Sequence, residues 1–204
     1  MTRTADSRDV RYRHDEPVLW TWEEAEALDK AGFLPDRWEL INGEIISKMS
    51  EGWLHATICT FIRNLLIEWF GAERVREGHP IAMPDTGDPY QGRILIPDAC
   101  VLKESIRSYR RFPGPADLVL VVEISYSSQR RDLEDKAALY SHAGIVEYWV
   151  LDVSGRRLLV HRLPADEGYP VPVEYAEEER VATLARPEVS VRVGDLLPPP
   201  DEAQ

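Results

Sequence analysis

The stretch Leu118-Val119-Leu120-Val121-Val122 constrains the fold more than any other part of the chain: five β-favouring apolar residues follow one another without a polar break. A strand with one wet face alternates, so a continuous run implies a central strand covered on both faces. Helices must therefore lie on either side of it. Between His55 and Phe70, Ile58, Phe61, Ile62, Leu65, Leu66 and Trp69 recur at helical spacing, with Gly71 as a stop. A second helix is expected over 131–143, ending at Gly144, and a short one over 22–31, where Thr21 and Glu24 form a capping-box pattern.

Strands are expected at 74–82, 93–102 and 117–125. Asn42-Gly43 marks one hairpin, spanning 38–46, and Ser154-Gly155 marks another, joining 146–153 to 156–163. Residues 169–197 read as short edge strands with proline breaks. This order of elements predicts an α/β domain with a mixed sheet between helices.

The chain has 204 residues, 44% of them hydrophobic and 29% charged, which suits one domain. Residues 18–197 are expected to fold, with 1–17 a flexible N-terminal arm and 198–204 a flexible proline-bearing tail. No apolar run nears the roughly 18 residues of a membrane helix, and 1–17 lack a secretory pattern, so a cytoplasmic protein is expected. Cys59 and Cys100 have no metal-finger spacing and read as reduced core residues. No GxGxxG, GxxxxGK[ST] or GxSxG motif is present, which removes dinucleotide, P-loop and α/β-hydrolase classes. The net charge of −12 disfavours polyanion binding on average, but clustered carboxylates can take a divalent cation that reverses the local sign.

Three carboxylates lie where a solvated surface has no need of them. Asp98 interrupts the apolar stretch 94–101 just after Pro97, Glu123 ends the most hydrophobic strand, and Glu39 lies between Trp38 and Leu40. A buried, unpaired carboxylate costs several kcal/mol, so each needs a partner, and a shared cation would serve. The ordinary alternative for each is a strand-end acid that is hydrated or paired with an arginine. Hard oxygen ligands suit Mg²⁺ or Ca²⁺, and strand alternation points Glu123 and Ser125 to one face.

Trp38-Glu39-Leu40-Ile41-Asn42-Gly43-Glu44, His55 at a helix start, Pro97-Asp98, Val122-Glu123-Ile124-Ser125, and Asp132, Lys136, Tyr140, Gly144 and Glu147-Tyr148-Trp149-Val150 form a spaced pattern. In this pattern the chain resembles the bacterial restriction-endonuclease family of the PD-(D/E)XK nuclease superfamily, over about residues 20–197. The resemblance implies a restriction-endonuclease-like mixed β-sheet flanked by helices in one domain, and a Mg²⁺- or Mn²⁺-dependent endonuclease hydrolysing DNA phosphodiesters. It implies Asp98 as the PD aspartate and Glu123 as the acid of (D/E)XK, both metal ligands, with Glu39 a third candidate. The motif lysine position holds Ser125, and Lys136 on the following helix is the candidate replacement, so the catalytic set reads Asp98, Glu123 and Lys136. The bland reading of Lys136 is a surface ion pair with Asp132.

His55, Ser125, Gln129 and Tyr140 are candidates to support the metal site, and Arg130 and Arg131 to contact phosphates. Arg107, Arg110 and Arg111, with Tyr109 and Phe112, form a second basic cluster in a loop. The expected partner is DNA, bound weakly and salt-sensitively, with a homodimer or a specificity partner to strengthen it. Two other readings stand beside the endonuclease: a non-catalytic module of the same fold that binds a protein or nucleic acid, and a hydrolase of another phosphodiester or a nucleotide.

Overall fold

The computed structural model describes residues 18–47, 52–126 and 130–199; for 130–133 it describes the backbone alone. The expected arm 1–17, the tail from 200 onward and Gln129 lie outside the described residues, as do the side chains of Arg130, Arg131 and Asp132. The continuous apolar run forms β7 (Leu118–Ser125), an interior strand of a six-stranded mixed sheet. Its neighbours are β8 (Glu147–Asp152), which runs parallel to it, and β6 (Ala99–Leu102), which runs antiparallel. Beyond β8 come β9 (Arg157–Arg162) and β10 (Val173–Ala176), and beyond β6 lies β3 (Val75–Glu77) as the other edge. The parallel β7–β8 pair needs a crossover, supplied by α3 (Arg130–His142).

One face of the sheet packs against α2 (Trp53–Phe70), through Ile58, Ile62, Leu66 and Trp69 on Leu120, Val122 and Ile124. The same core takes in Val181 and Val191 of a separate hairpin, β11 (Arg180–Thr183) and β12 (Arg186–Arg192). The other face is covered by Tyr140 of α3 and by Ile41, Ile81 and Leu95. Ile41 comes from the hairpin of β1 (Trp38–Ile41) and β2 (Glu44–Ser47), turned by Asn42 and Gly43 at φ 50° and 82°. Against that hairpin packs α1 (Trp22–Lys30), whose Thr21 cap and Glu24 bond reciprocally and whose Trp22 and Ala25 meet Leu40.

Two expected strands are each broken. Residues 74–82 divide into β3 and β4 (Ile81–Ala82), because Gly78 takes φ 55° and Pro80 has no N–H to give a ladder. Residues 93–102 divide into β5 (Ile94–Leu95) and β6, because the Ile96 N–H is taken by the Glu39 carboxylate and Pro97 lacks one. The freed pieces β4 and β5 pair with each other outside the main sheet. The second break carries Asp98 out of the ladder, at the mouth of the sheet. Cys59 and Cys100 are buried free cysteines, and burial pushes the Cys100 thiol up to about 12, so it is inert at neutral pH. Among the described residues, no helix is long and apolar enough to cross a membrane.

Candidate metal centre

The register Ala99↔Val122 and Cys100↔Val121 leaves Asp98 immediately before the first paired residue of β6 and Glu123 immediately after the last residue of β7 paired with it. Glu123 lies on the α3 side, since Leu120, Val122 and Ile124 turn to α2 and Glu123 alternates away from them. Asp98 turns one carboxylate oxygen to the strand itself, where the Ile124 N–H donates to Oδ2 at 2.8 Å. At its other oxygen, His55 Nε2 from the first turn of α2 stands 3.5 Å from Oδ1.

Four charged groups are sealed here: Glu39, Glu123, Lys136 and Asp98 are 1%, 2%, 3% and 8% exposed. The Lys136 ammonium donates to Glu123 Oε1 at 2.7 Å and lies 3.2 and 3.0 Å from the two oxygens of Glu39. One helical turn on, the Tyr140 hydroxyl donates to the same Glu123 Oε1 at 3.0 Å. Lys136 is thus a buried bridge between two acids, and its expected partner Asp132 has no described side chain. Glu39 also accepts from the Ile96 N–H at 2.5 Å, which ties the β1–β2 hairpin to the gap between β5 and β6. Burial, reinforced by the negative charge of Glu123 and Glu39, raises the Tyr140 hydroxyl well above its ordinary range, so it stays a donor. Tyr148 on β8, edge-on to Tyr140 with ring centroids 4.9 Å apart, is raised in the same way by burial, Glu123 and Asp98.

The remaining sequence candidates divide. Ser125 is buried, and its hydroxyl donates to the Tyr126 carbonyl at 3.2 Å. The arginines of the 107–111 loop are occupied: Arg107 pairs with Glu73 at 2.9 Å, Arg111 pairs with Asp117 at 2.8 Å, and Arg110 donates to the carbonyls of Arg107 and Tyr109. Tyr148 and the Ile96 N–H belong to the site yet were missed in the sequence. Tyr148 lies inside a quoted motif with no chemical cue, and a backbone donor has none at all.

The donor set suits a small hard cation. Asp98 and Glu123 offer hard carboxylate oxygens, and among the described residues no group of three or more His, Cys, Asp and Glu side chains is placed to hold a metal ion. Mg²⁺ is commonly bound by one or two carboxylates completed by water and phosphate oxygens rather than by an all-protein cage.

A family model described as "Putative restriction endonuclease", Uma2, matches residues 22–194. The chain belongs to the Uma2 family. The match spans the described fold from α1 through β12. Among solved structures, this Uma2 chain is similar to a crystal structure titled as a putative nuclease belonging to DUF820 from Anabaena variabilis ATCC 29413. That likeness has a TM-score of 0.65 at 16% identity and covers 86% of this chain and 96% of the other. At that identity it speaks for the fold, a mixed sheet flanked by three helices in one domain. Comparison with curated proteins finds no match.

Proposed function

We propose that this Uma2 protein is a Mg²⁺- or Mn²⁺-dependent endonuclease that hydrolyses DNA phosphodiester bonds. The observation that carries the reading is a buried acidic cluster in which the Lys136 ammonium lies 2.7 Å from Glu123 and Asp98 accepts from the N–H of Ile124, the residue after Glu123. Asp98 and Glu123 would hold the cation, which when bound supplies Lewis-acid chemistry at a phosphate oxygen and compensates charge on the leaving oxygen. Tyr140 and Lys136 fix Glu123 by two hydrogen bonds to one oxygen, and the Ile124 N–H fixes Asp98. Lys136 brings positive charge to where the phosphate gains negative charge, the task the motif lysine performs in the resembled superfamily. Glu39 positions Lys136 through Oε1, which also receives the Ile96 N–H, and its Oε2, 3.0 Å from the ammonium but without a hydrogen-bond partner among the described residues, keeps it a candidate metal ligand. His55 steadies Asp98 from the α2 side. DNA as substrate, a second copy or a partner as the source of specificity, and a cytoplasmic setting complete the reading.

One observation favours the non-catalytic module instead: Lys136 already bridges Glu123 and Glu39, so part of the acidic charge is balanced within the protein. Mg²⁺-dependent nicking of supercoiled plasmid separates the two. The wild type is expected to nick, and Asp98→Ala and Glu123→Ala to lose at least about a hundredfold of that rate. Equal nicking by all three would remove the endonuclease reading from this site.

A further inference from the structure

An acidic protein that handles DNA needs a local place for phosphates, and most described arginines are spent on carboxylates. Arg93, Arg107, Arg111, Arg156, Arg157, Arg162, Arg186 and Arg192 each pair with an Asp or Glu. At the β3 edge of the sheet the balance differs. A pocket of about 370 Å³ is lined by Arg37, Arg63, Arg76, Glu77, Gly78 and His79, among others. Its three guanidiniums face one carboxylate, Glu77, which Arg63 approaches at 3.7 Å. Among the described residues neither Arg37 nor Arg76 has a carboxylate within 4 Å, and the buried Arg76 Nε has no hydrogen-bond partner. A buried N–H with nothing to donate to is rare enough to require an explanation, and an anion's oxygen supplies one.

The pocket is built, and its backbone is hydrogen-bonded to that of Asp98. Arg37 lies across Gly78 and donates to its carbonyl at 3.1 Å, and the φ of 55° at position 78 favours the glycine there. The Gly78 N–H donates to the Asp98 carbonyl at 3.0 Å, and Arg37 precedes Glu39 by two residues. Arg76 pairs in register with Cys100, two residues after Asp98.

We propose that this arginine pocket holds the phosphodiester backbone of a polynucleotide beside Asp98, fixing the strand without reading its bases. The identity of the ligand rests on the endonuclease reading, whereas the anion site stands on the pocket's own chemistry. Phosphate contacts of this kind give sequence-independent affinity that falls as salt rises, with a slope set by the number of phosphates neutralised.

The test is fluorescence anisotropy of the full chain with a labelled duplex in EDTA, which reads binding without cleavage, titrated between about 50 and 200 mM salt. Arg37→Ala and Arg76→Ala are expected to weaken binding about tenfold each and to lower the logarithmic salt slope by about one. Arg76→Lys keeps the charge and is expected to keep most of the slope, which a merely misfolded variant would not. Arg192→Ala, at an arginine paired with Glu178 and Asp195, is expected to bind as the wild type does. Unchanged affinity and slope in both arginine variants would overturn the proposal. So would inorganic phosphate binding as tightly as the duplex, which would assign the pocket to a small anion. Plasmid nicking keeps the two readings apart: wild-type duplex binding lost in the arginine variants, without any nicking, sinks the enzyme and leaves the pocket, and the converse pattern does the opposite.

Discussion

Glu147 and Glu123 lie on adjacent strands of one sheet, both sealed from water, in opposite electrostatic settings. Glu147 is neutralised one for one. Its Oε1 accepts from Trp149 Nε1 at 2.9 Å and Arg162 Nε at 2.8 Å, and its Oε2 accepts from the Leu184 N–H at 2.8 Å. Every oxygen is used, and a guanidinium matches the charge. Around Glu123 the Lys136 ammonium is shared by two carboxylates, Glu39 and Glu123, and Asp98 meets His55 instead. A buried acid that serves only the fold has each oxygen held by a partner of its own; two buried glutamates drawn to one lysine form a setting in which a cation can be exchanged or received. The difference separates a structural glutamate from a functional candidate where burial alone cannot.

The contrast breaks most visibly when each cation is removed. Lys136→Met leaves Glu39 and Glu123 side by side without their bridge and is expected to cost about 3–5 kcal/mol, together with loss of nicking. Arg162→Met strips Glu147 in the same way, but Arg162 is a quarter exposed and water reaches the gap, so about 2–3 kcal/mol is expected, with nicking per folded molecule retained. Urea denaturation beside the plasmid assay checks both. Equal stability losses with equal activity losses would erase the distinction between the two regions.

A finer comparison removes one hydrogen bond from each acid. Tyr140→Phe takes a donor from Glu123 and Trp149→Phe takes one from Glu147, each expected to cost about 1 kcal/mol, with the tryptophan's lost volume adding to the second. Nicking is expected to fall several-fold only in Tyr140→Phe. The smallest effect concerns pH. His161 stacks on Tyr148 at 5.4 Å, and burial holds its pKa below the ordinary 6.5. Its neutral form is therefore the folded form. Its contribution is whole above about pH 6.5 and is lost as pH falls, because the unfolded chain takes up the proton first. Denaturation curves at neutral and mildly acidic pH are expected to converge in His161→Phe relative to the wild type.

Much of this arrangement is legible in the residues themselves. The unbroken run 118–122 gives the central strand, Asn42-Gly43 gives the first hairpin turn, and alternation alone puts Glu123 and Ser125 on a common face. The second hairpin carries more than its motif suggests. A loop at Ser154-Gly155 pairs residue 147 with 162, so the Glu147–Arg162 ion pair is already implied by the turn. The breaks in 74–82 and 93–102 are harder to see, because Gly78, Pro80 and Pro97 punctuate stretches that otherwise read as strand. What ends the second of them is a side chain from 57 residues away, Glu39 on the Ile96 N–H, a competition no local pattern encodes. The bridging role of Lys136 is hidden for the same reason. Its spacing to Asp132 suggests a local pair, while its partner Glu39 stands 97 residues earlier. The arginine pocket draws on residues from 37 to 79, brought together only by the folding of the β3 edge.

The Lys136 bridge also orders events on the ribosome. Glu39, Asp98 and Glu123 are all synthesised before the residue that joins two of them, which follows Glu123 by thirteen positions. A nascent chain stalled before that lysine emerges carries its acids without their counter-charge. No fragment ending short of α3 can assemble the centre, and translation itself keeps the centre unformed until most of the domain has been made.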